Sequence, residues 1–283
     1  MTAPMDGRRG DAEDGAAAPV KAFDFHVHLY PDALAPKVVP ALAARFGNPA
    51  SFDGTRAGLL ALLGARCDFA GALNLPVATK PDQVVSVNNH AIATNFWPVL
   101  SLGSIHPDFS EPAAELRRIR DAGLRGIKLH PEYQQFTLDD PRMAPVWRAC
   151  RELGLLVMLH AGGERVFAAP YRTNPASLAD FLGAWPGLTV AAAHLGGFQM
   201  WDEAERHLIG RDIYLDLSHT LGFCPEGQLL RMVRAHRPDR LLFGTDAPWQ
   251  DPAQILAGFL ALPLPPALQS AILYENAACL LKQ

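Results

Sequence analysis

Ten histidines stand among the 283 residues of this chain, and seven of them, His26, His28, His106, His130, His160, His194 and His219, lie at or just beyond short apolar runs. Asp246 closes another such run, FGTD. In His26-Val27-His28 the spacing of two aims both imidazoles to one side of a strand. Neutral imidazoles crowded together with a carboxylate are poorly satisfied without protons or a metal. A divalent cation such as zinc satisfies them, taking imidazole nitrogen and carboxylate oxygen while keeping a position for water. Bound, it lowers the pKa of water to about 7 and polarises a carbonyl. A carboxylate beside it guides the proton away.

Residues so far apart in sequence need a scaffold that gathers them. Apolar runs at 22–27, 69–75, 99–104, 126–129, 155–159, 189–193, 213–217 and 241–244 read as strands. Helical segments at 55–65, 82–96, 111–122, 141–153, 175–185, 201–208, 226–236 and 252–262 alternate with them. Asp140-Pro141, Asn174-Pro175 and Asp251-Pro252 each place a polar cap before a proline at the first helical position. Uniformly apolar strands alternating with helices predict an α/β fold, a (β/α)8 TIM barrel with C-terminal closing helices at 266–281. An open doubly wound sheet that binds a nucleotide would want a glycine-rich turn after strand one, and FHVHLYP has none. Active sites of such barrels gather at the C-terminal ends of the strands, where these histidines fall. The stretch 29–52 exceeds an ordinary loop, and 33–46 is expected to add a helix above the mouth. Residues 1–20 are expected to form a mobile tail, leaving 21–283 as a single barrel domain.

Composition removes other classes. With 49% hydrophobic and 19% charged residues the chain has material for a large core, unlike a disordered protein. A net charge of −4 without a Lys/Arg block argues against nucleic acid. No apolar run reaches membrane length. Cys67, Cys150, Cys224 and Cys279 are scattered, so neither a disulfide framework nor a cysteine zinc module is expected, and they read as small core residues. These features suggest a cytoplasmic enzyme with a small-molecule substrate; a homo-oligomer is left open.

Taken in order, FDFHVHLYPD, GIKLHPEYQQF, VMLHAGG, AAAHLGGF and FGTDAPW resemble the amidohydrolase superfamily. The resemblance is to its amidohydrolase-related branch, which also contains the aminocarboxymuconate-semialdehyde decarboxylase type, and runs from Phe23 to Leu281. It implies a divalent ion, zinc first, bound by His26, His28, His160 and Asp246; manganese, iron and cobalt suit the same ligands. It implies that His194 acts as general acid/base beside the ion, and that Asp246 both binds the ion and accepts the water's proton. Two-metal members bridge their ions with a carboxylated lysine at the end of strand four. Lys128 lies one layer below His130, so a binuclear site with His160 and His194 on a second ion stays open.

The substrate is expected to meet His130, Arg165, Arg172 and Trp249, with the arginines pairing a carboxylate. Phe136, Phe198 and Trp201 could extend an apolar wall. His106 and His219 divide evenly between lining the site and packing a loop. His90, His207 and His236 are expected to be solvated on helices. Asp24, two residues before His26, is expected on the same strand face, in a buried ion pair with Lys128 rather than orienting a ligand. The function expected is metal-dependent hydrolysis of a small, carboxylated ester, lactone or amide. Nonoxidative decarboxylation of a small aromatic or enoic acid is the alternative, and a silent ligand-binding barrel the third.

Overall fold

Strands form at β1 (Ala22–Val27), β2 (Phe69–Asn74), β3 (Val99–Ser101), β4 (Gly126–Leu129), β5 (Leu156–Leu159), β6 (Val190–Ala192), β7 (Tyr214–Asp216) and β8 (Leu241–Leu242). The computed structural model describes residues 21–65 and 68–282; the expected tail and Cys67 lie outside them. All neighbouring strands are parallel, in the orders β1-β2-β3 and β4-β5-β6-β7-β8. Backbone hydrogen bonds close both seams. Gly103 N donates to Gly126 O at 2.9 Å and Lys128 N to Gly103 O at 2.8 Å, joining β3 to β4. Phe25 N donates to Phe243 O at 2.8 Å, Asp246 N to His26 O at 2.8 Å, and His28 N to Ala247 O at 2.7 Å, joining β1 to β8. β3 and β8 stop short of the expected 104 and 244 because the chain beyond them pairs through single bridges, Gly103 with Ile127 and Ala247 with Val27.

The helices are α1 (Ala35–Phe46), α2 (Arg56–Gly64), α3 (Val84–Thr94), α4 (Pro112–Asp121), α5 (Pro131–Gln134) and α6 (Ala144–Leu153). They continue with α7 (Pro175–Ala184), α8 (Trp201–His207), α9 (Glu226–Ala235), α10 (Pro252–Leu260), α11 (Pro266–Ser270) and α12 (Asn276–Leu281). The caps read from sequence form: the side chain of Asn174 accepts from Ser177 N, and that of Asp251 from Ala253 N. Leu129, Val157, Leu215 and Phe243 pack outward against helices, while Leu73, Met158, Ala191 and Leu242 fill the barrel. Each fully buried Leu or Phe contributes about 1.5–3 kcal/mol. Ala277 and Leu280 of α12 join the inner cluster, so the C-terminal helices close the barrel as expected.

β1 departs from simple alternation. Its pairing with β2 shifts register between Asp24 and Val27. Phe23 and Phe25 belong to the inner cluster, yet Val27 packs outside with Ala72 and Leu59. The bulge switches parity, so that Phe25 and then His26 both reach inward. Asp24 therefore does not share a face with His26, and no ion pair with Lys128 forms.

Candidate metal centre

His26, His28 and Asp246 converge where β1 meets β8. His26 Nε2 lies 3.2 Å from His28 Nε2 and 3.2 Å from Asp246 Oδ1, and His28 Nε2 lies 2.9 Å from the same oxygen. Gly244 permits this approach: a Cβ there would come within 2.9 Å of that of His26. Asp24, displaced by the bulge, ties the two ligand-bearing strands together. Its carboxyl accepts from His26 N at 3.1 Å, from Thr245 N at 2.9 Å, and from the Thr245 hydroxyl. Burial raises its pKa to about 7.

Four of the histidines have one ring nitrogen fixed by an acceptor outside the centre. His26 Nδ1 donates to Asp216 Oδ2 at 2.8 Å, His28 Nδ1 to Leu75 O at 3.1 Å, His160 Nε2 to Gly163 O at 3.1 Å, and His194 Nδ1 to Ser218 O at 3.2 Å. The opposite nitrogen then presents a lone pair. Asp246 Oδ1 is buried without a hydrogen-bond partner among the described residues, while His219 Nδ1 meets Asp246 Oδ2 at 2.7 Å. Lone pairs facing one another at such distances repel unless a cation lies among them. Metal-binding histidines characteristically donate their other N–H to a carboxylate or carbonyl. The donor set therefore fits a divalent ion.

Electrostatics agree. Burial raises the pKa of Asp246, but the fields of His26 and His219 outweigh it and hold the carboxyl well below its ordinary range. Burial, reinforced by Lys128, lowers His26. Burial likewise lowers His130, His160 and His194 well below the ordinary imidazole value, which keeps them neutral and able to ligate. His194, His219 and Asp246 adopt φ of 58°, 51° and 63°. That left-handed backbone costs a non-glycine residue about 1–3 kcal/mol and tends to cluster where function demands it.

His160 stands apart from the trio expected to share its ion. The three donor atoms of His26, His28 and Asp246 lie within 4.8 Å of one another, whereas His160 groups with His130 and Glu164. Its ring stacks on His130 at 4.0 Å, and its Nδ1 faces His194 Nε2 at 3.3 Å, so it meets the trio through His194. Gly162, at φ 85°, lets the chain after β5 pass Phe198 closely enough to hold this position; a Cβ would lie 2.2 Å from Phe198 N. A third group joins His194, His219 and Asp246.

The expected substrate-binding residues divide. His130 is buried at the centre, its Nε2 3.3 Å from Glu164 Oε2 and its Nδ1 without a partner. Trp249 packs edge-to-face on Phe46 of α1 at 5.0 Å, so it supports the helix over the mouth. Exposed Arg165 donates to Phe46 O at 3.3 Å, and Arg172 pairs with Glu132 at 3.7 Å; neither reaches the histidines. Phe198 edges onto His194 and His219, while Phe136 packs in the outer core. His106 caps a turn, accepting from Asp108 N. His236 is buried and bonded to Ile213 O and Gly210 N, contrary to the solvated position expected of it; His90 and His207 are half-buried. Cys150 and Cys224 are buried, but Cys279 is exposed.

Sequence reasoning missed Asp216, Ser218, Glu164 and Tyr133. Asp216 had a signal, being the one charged residue inside the apolar run IYLDL. A cavity of about 390 Å³ opens beside α2 and α3, lined by Arg56, His90 and Phe96 together with Asn74 and Ser101 of β2 and β3, and none of the ion-binding candidates borders it.

A profile of the amidohydrolase family matches residues 23–283. The chain belongs to that family. No curated protein sequence matches it. Among solved structures, this amidohydrolase-family barrel is similar to an uncharacterized TIM-barrel protein from Bordetella bronchiseptica, at 21% identity and TM-score 0.72 over 93% of this chain and 98% of that one. It is similar to 2,6-dihydroxybenzoate decarboxylase from Rhizobium, at 16% identity and TM-score 0.68 over 93% and 98%. A third is 5-carboxyvanillate decarboxylase from Novosphingobium aromaticivorans, solved with manganese and 4-hydroxy-3-methoxy-5-nitrobenzoic acid, at 15% identity and TM-score 0.69 over 93% and 96%. At these identities the likeness establishes the TIM-barrel fold, as expected from the sequence. No helix among the described residues is long and apolar enough to cross a membrane.

Proposed function

We propose that this family member is a metal-dependent hydrolase of a small ester, lactone or amide, its divalent ion held by His26, His28 and Asp246, with His160 a further ligand from strand five through the Nδ1 that faces His194. The observation that carries this reading is the meeting of His26 Nε2, His28 Nε2 and Asp246 Oδ1 at 2.9–3.2 Å, with the Nδ1 of each ring engaged by an acceptor outside the trio. Zinc suits the ligand types first, and manganese is compatible. Such an ion supplies Lewis acidity and eases deprotonation of water. Asp246, held ionised, takes the water's proton. His194, anchored through Nδ1, presents the Nε2 lone pair that can take up the proton Asp246 has drawn from the water and pass it to the leaving group. Phe198 and Phe223, in contact with each other and with His219, exclude water on one side.

On the other side, Lys128 Nζ, His130 Nδ1 and the Tyr133 hydroxyl are buried and unpartnered among the described residues. They suit an oxygen-rich substrate, and they take the role that Arg165 and Arg172 were expected to play. A second reading, nonoxidative decarboxylation of a small aromatic acid, draws support from the two decarboxylases that share the fold. The test is turnover by zinc- or manganese-loaded protein across lactones, esters, cyclic amides and hydroxybenzoic acids. Hydrolysis of one of the first three classes is expected. Inertness toward all three together with CO2 release from an acid would replace the hydrolase reading by the second.

A further inference from the structure

The geometry points to Asp216 as a positioning residue that, with Ser218, fixes both His26 and His194 with the proton on Nδ1 and the lone pair on Nε2. This rests on the reading of His26 as a metal ligand. Asp216 is fully buried. Its Oδ2 takes the His26 Nδ1 proton at 2.8 Å, while Oδ1 accepts from His194 N at 3.1 Å, from Ser218 N at 2.9 Å and from the Ser218 hydroxyl. The serine has a single hydroxyl proton, and giving it to Asp216 leaves oxygen lone pairs for His26 Nδ1 at 3.0 Å and His194 Nδ1 at 2.9 Å. Two rings, one on β1 and one just after β6, are thus locked by two side chains on and just after β7. The backbone bond from His194 N also braces the left-handed turn that carries that ring. With Asp216 removed, the His26 N–H would lose its charged acceptor in a site closed to water, and the ring could rotate or move its proton to the nitrogen that faces the ion.

The test is zinc and cobalt affinity of purified wild type, Asp216→Ala, Asp216→Asn and Ser218→Ala, with circular dichroism to establish folding. Two-bond ¹H–¹⁵N correlations of the histidine rings in the zinc-loaded protein report the tautomers. Asp216→Ala is expected to bind zinc about 10–100-fold more weakly, as loss of such an outer partner typically does. Its His26 and His194 ring signals should no longer show the pure Nδ1–H pattern, and its cobalt absorption should shift. Asp216→Asn keeps one acceptor oxygen and should lose less, about 3–10-fold. Ser218→Ala, which leaves the Asp216–His26 bond intact, should stay within about 3-fold. Folded Asp216→Ala with wild-type affinity and ring tautomers would overturn the inference alone; if that variant does not fold, unchanged affinity and tautomers in Asp216→Asn would do the same. Wild-type protein that binds neither metal would instead overturn the metal reading beneath it.

Discussion

Where β1, β7 and β8 meet, the ring N–H groups of His26 and His28 have acceptors, and Asp246 Oδ1, facing both Nε2 atoms, has no hydrogen-bond partner among the described residues. On the β4 side the unpaired atoms include the ammonium of Lys128 and the hydroxyl of Tyr133, which are proton donors. One side of the barrel mouth thus lacks a cation and the other lacks an oxygen-bearing partner. Burial makes both shortages costly, since an unsatisfied buried polar group loses its hydration without recompense. The contrast supports the proposal that the ion belongs to the first side and the oxygens of the substrate to the second, with His160 and His194 between them.

The largest effect on turnover should come from the residue between the two sides. His194→Ala is expected to lower kcat by about 10²–10⁴-fold, the range of a lost general acid or base, while leaving metal content near that of wild type. Loss of a stoichiometric ion in that variant would mean that the division between the sides is wrong and that His194 is itself a ligand. Next in size, Lys128→Met should raise KM by about 10–100-fold, the worth of a hydrogen bond to a charged group, and Tyr133→Phe by about 3–10-fold. Both should keep their metal. If Lys128→Met instead released metal, the lysine would belong to a binuclear centre. Burial lowers the Lys128 pKa to about 8, so it remains largely protonated at neutral pH.

A smaller effect lies away from the mouth, at His236. Burial lowers its pKa below 6.5, and its ring is neutral between Ile213 O and Gly210 N. The unfolded chain takes up the proton more readily, so the stability this histidine contributes is complete above about pH 6.5 and declines as pH falls through the folded pKa. Thermal melts should therefore show a gap between wild type and His236→Gln that is widest at pH 7.5 and narrows toward pH 5; a gap that widens on acidification would refute the neutral, buried assignment. Smallest of all, Arg165→Ala and Arg172→Ala should change KM by less than about 3-fold, because both guanidinium groups are half-exposed or exposed and engaged by Phe46 O and Glu132. A 10-fold rise in KM for either would move the substrate's acid group to the rim.

Much of this centre was legible in the sequence because barrel strands end where their chemistry begins. The HxH of β1, the KLH of β4 and the single residues after β5, β6 and β8 could be read from apolar runs that stop at a polar side chain. What escaped depends on geometry that apolar patterning does not encode. Asp24 was placed on the wrong face because a bulge leaves no mark in FDFHV. Asp216 looked like an interruption in an apolar run, and its role emerges only when β1 and β7 bring it to His26. Arg172 could be matched with a substrate as readily as with Glu132 until the loops after β4 and β5 came together. His236 followed a helical pattern into apparent solvent, whereas its partners lie at and before the start of β7.

The central claim is that the β1–β8 side holds an ion while the β4 side holds none, and metal content measures it directly. Protein loaded with zinc and freed of excess by gel filtration should carry close to one equivalent in wild type and in Lys128→Met. The folded His26→Ala/His28→Ala double variant should carry almost none. Wild type without metal, or a double variant that keeps its equivalent while Lys128→Met loses it, would contradict the account.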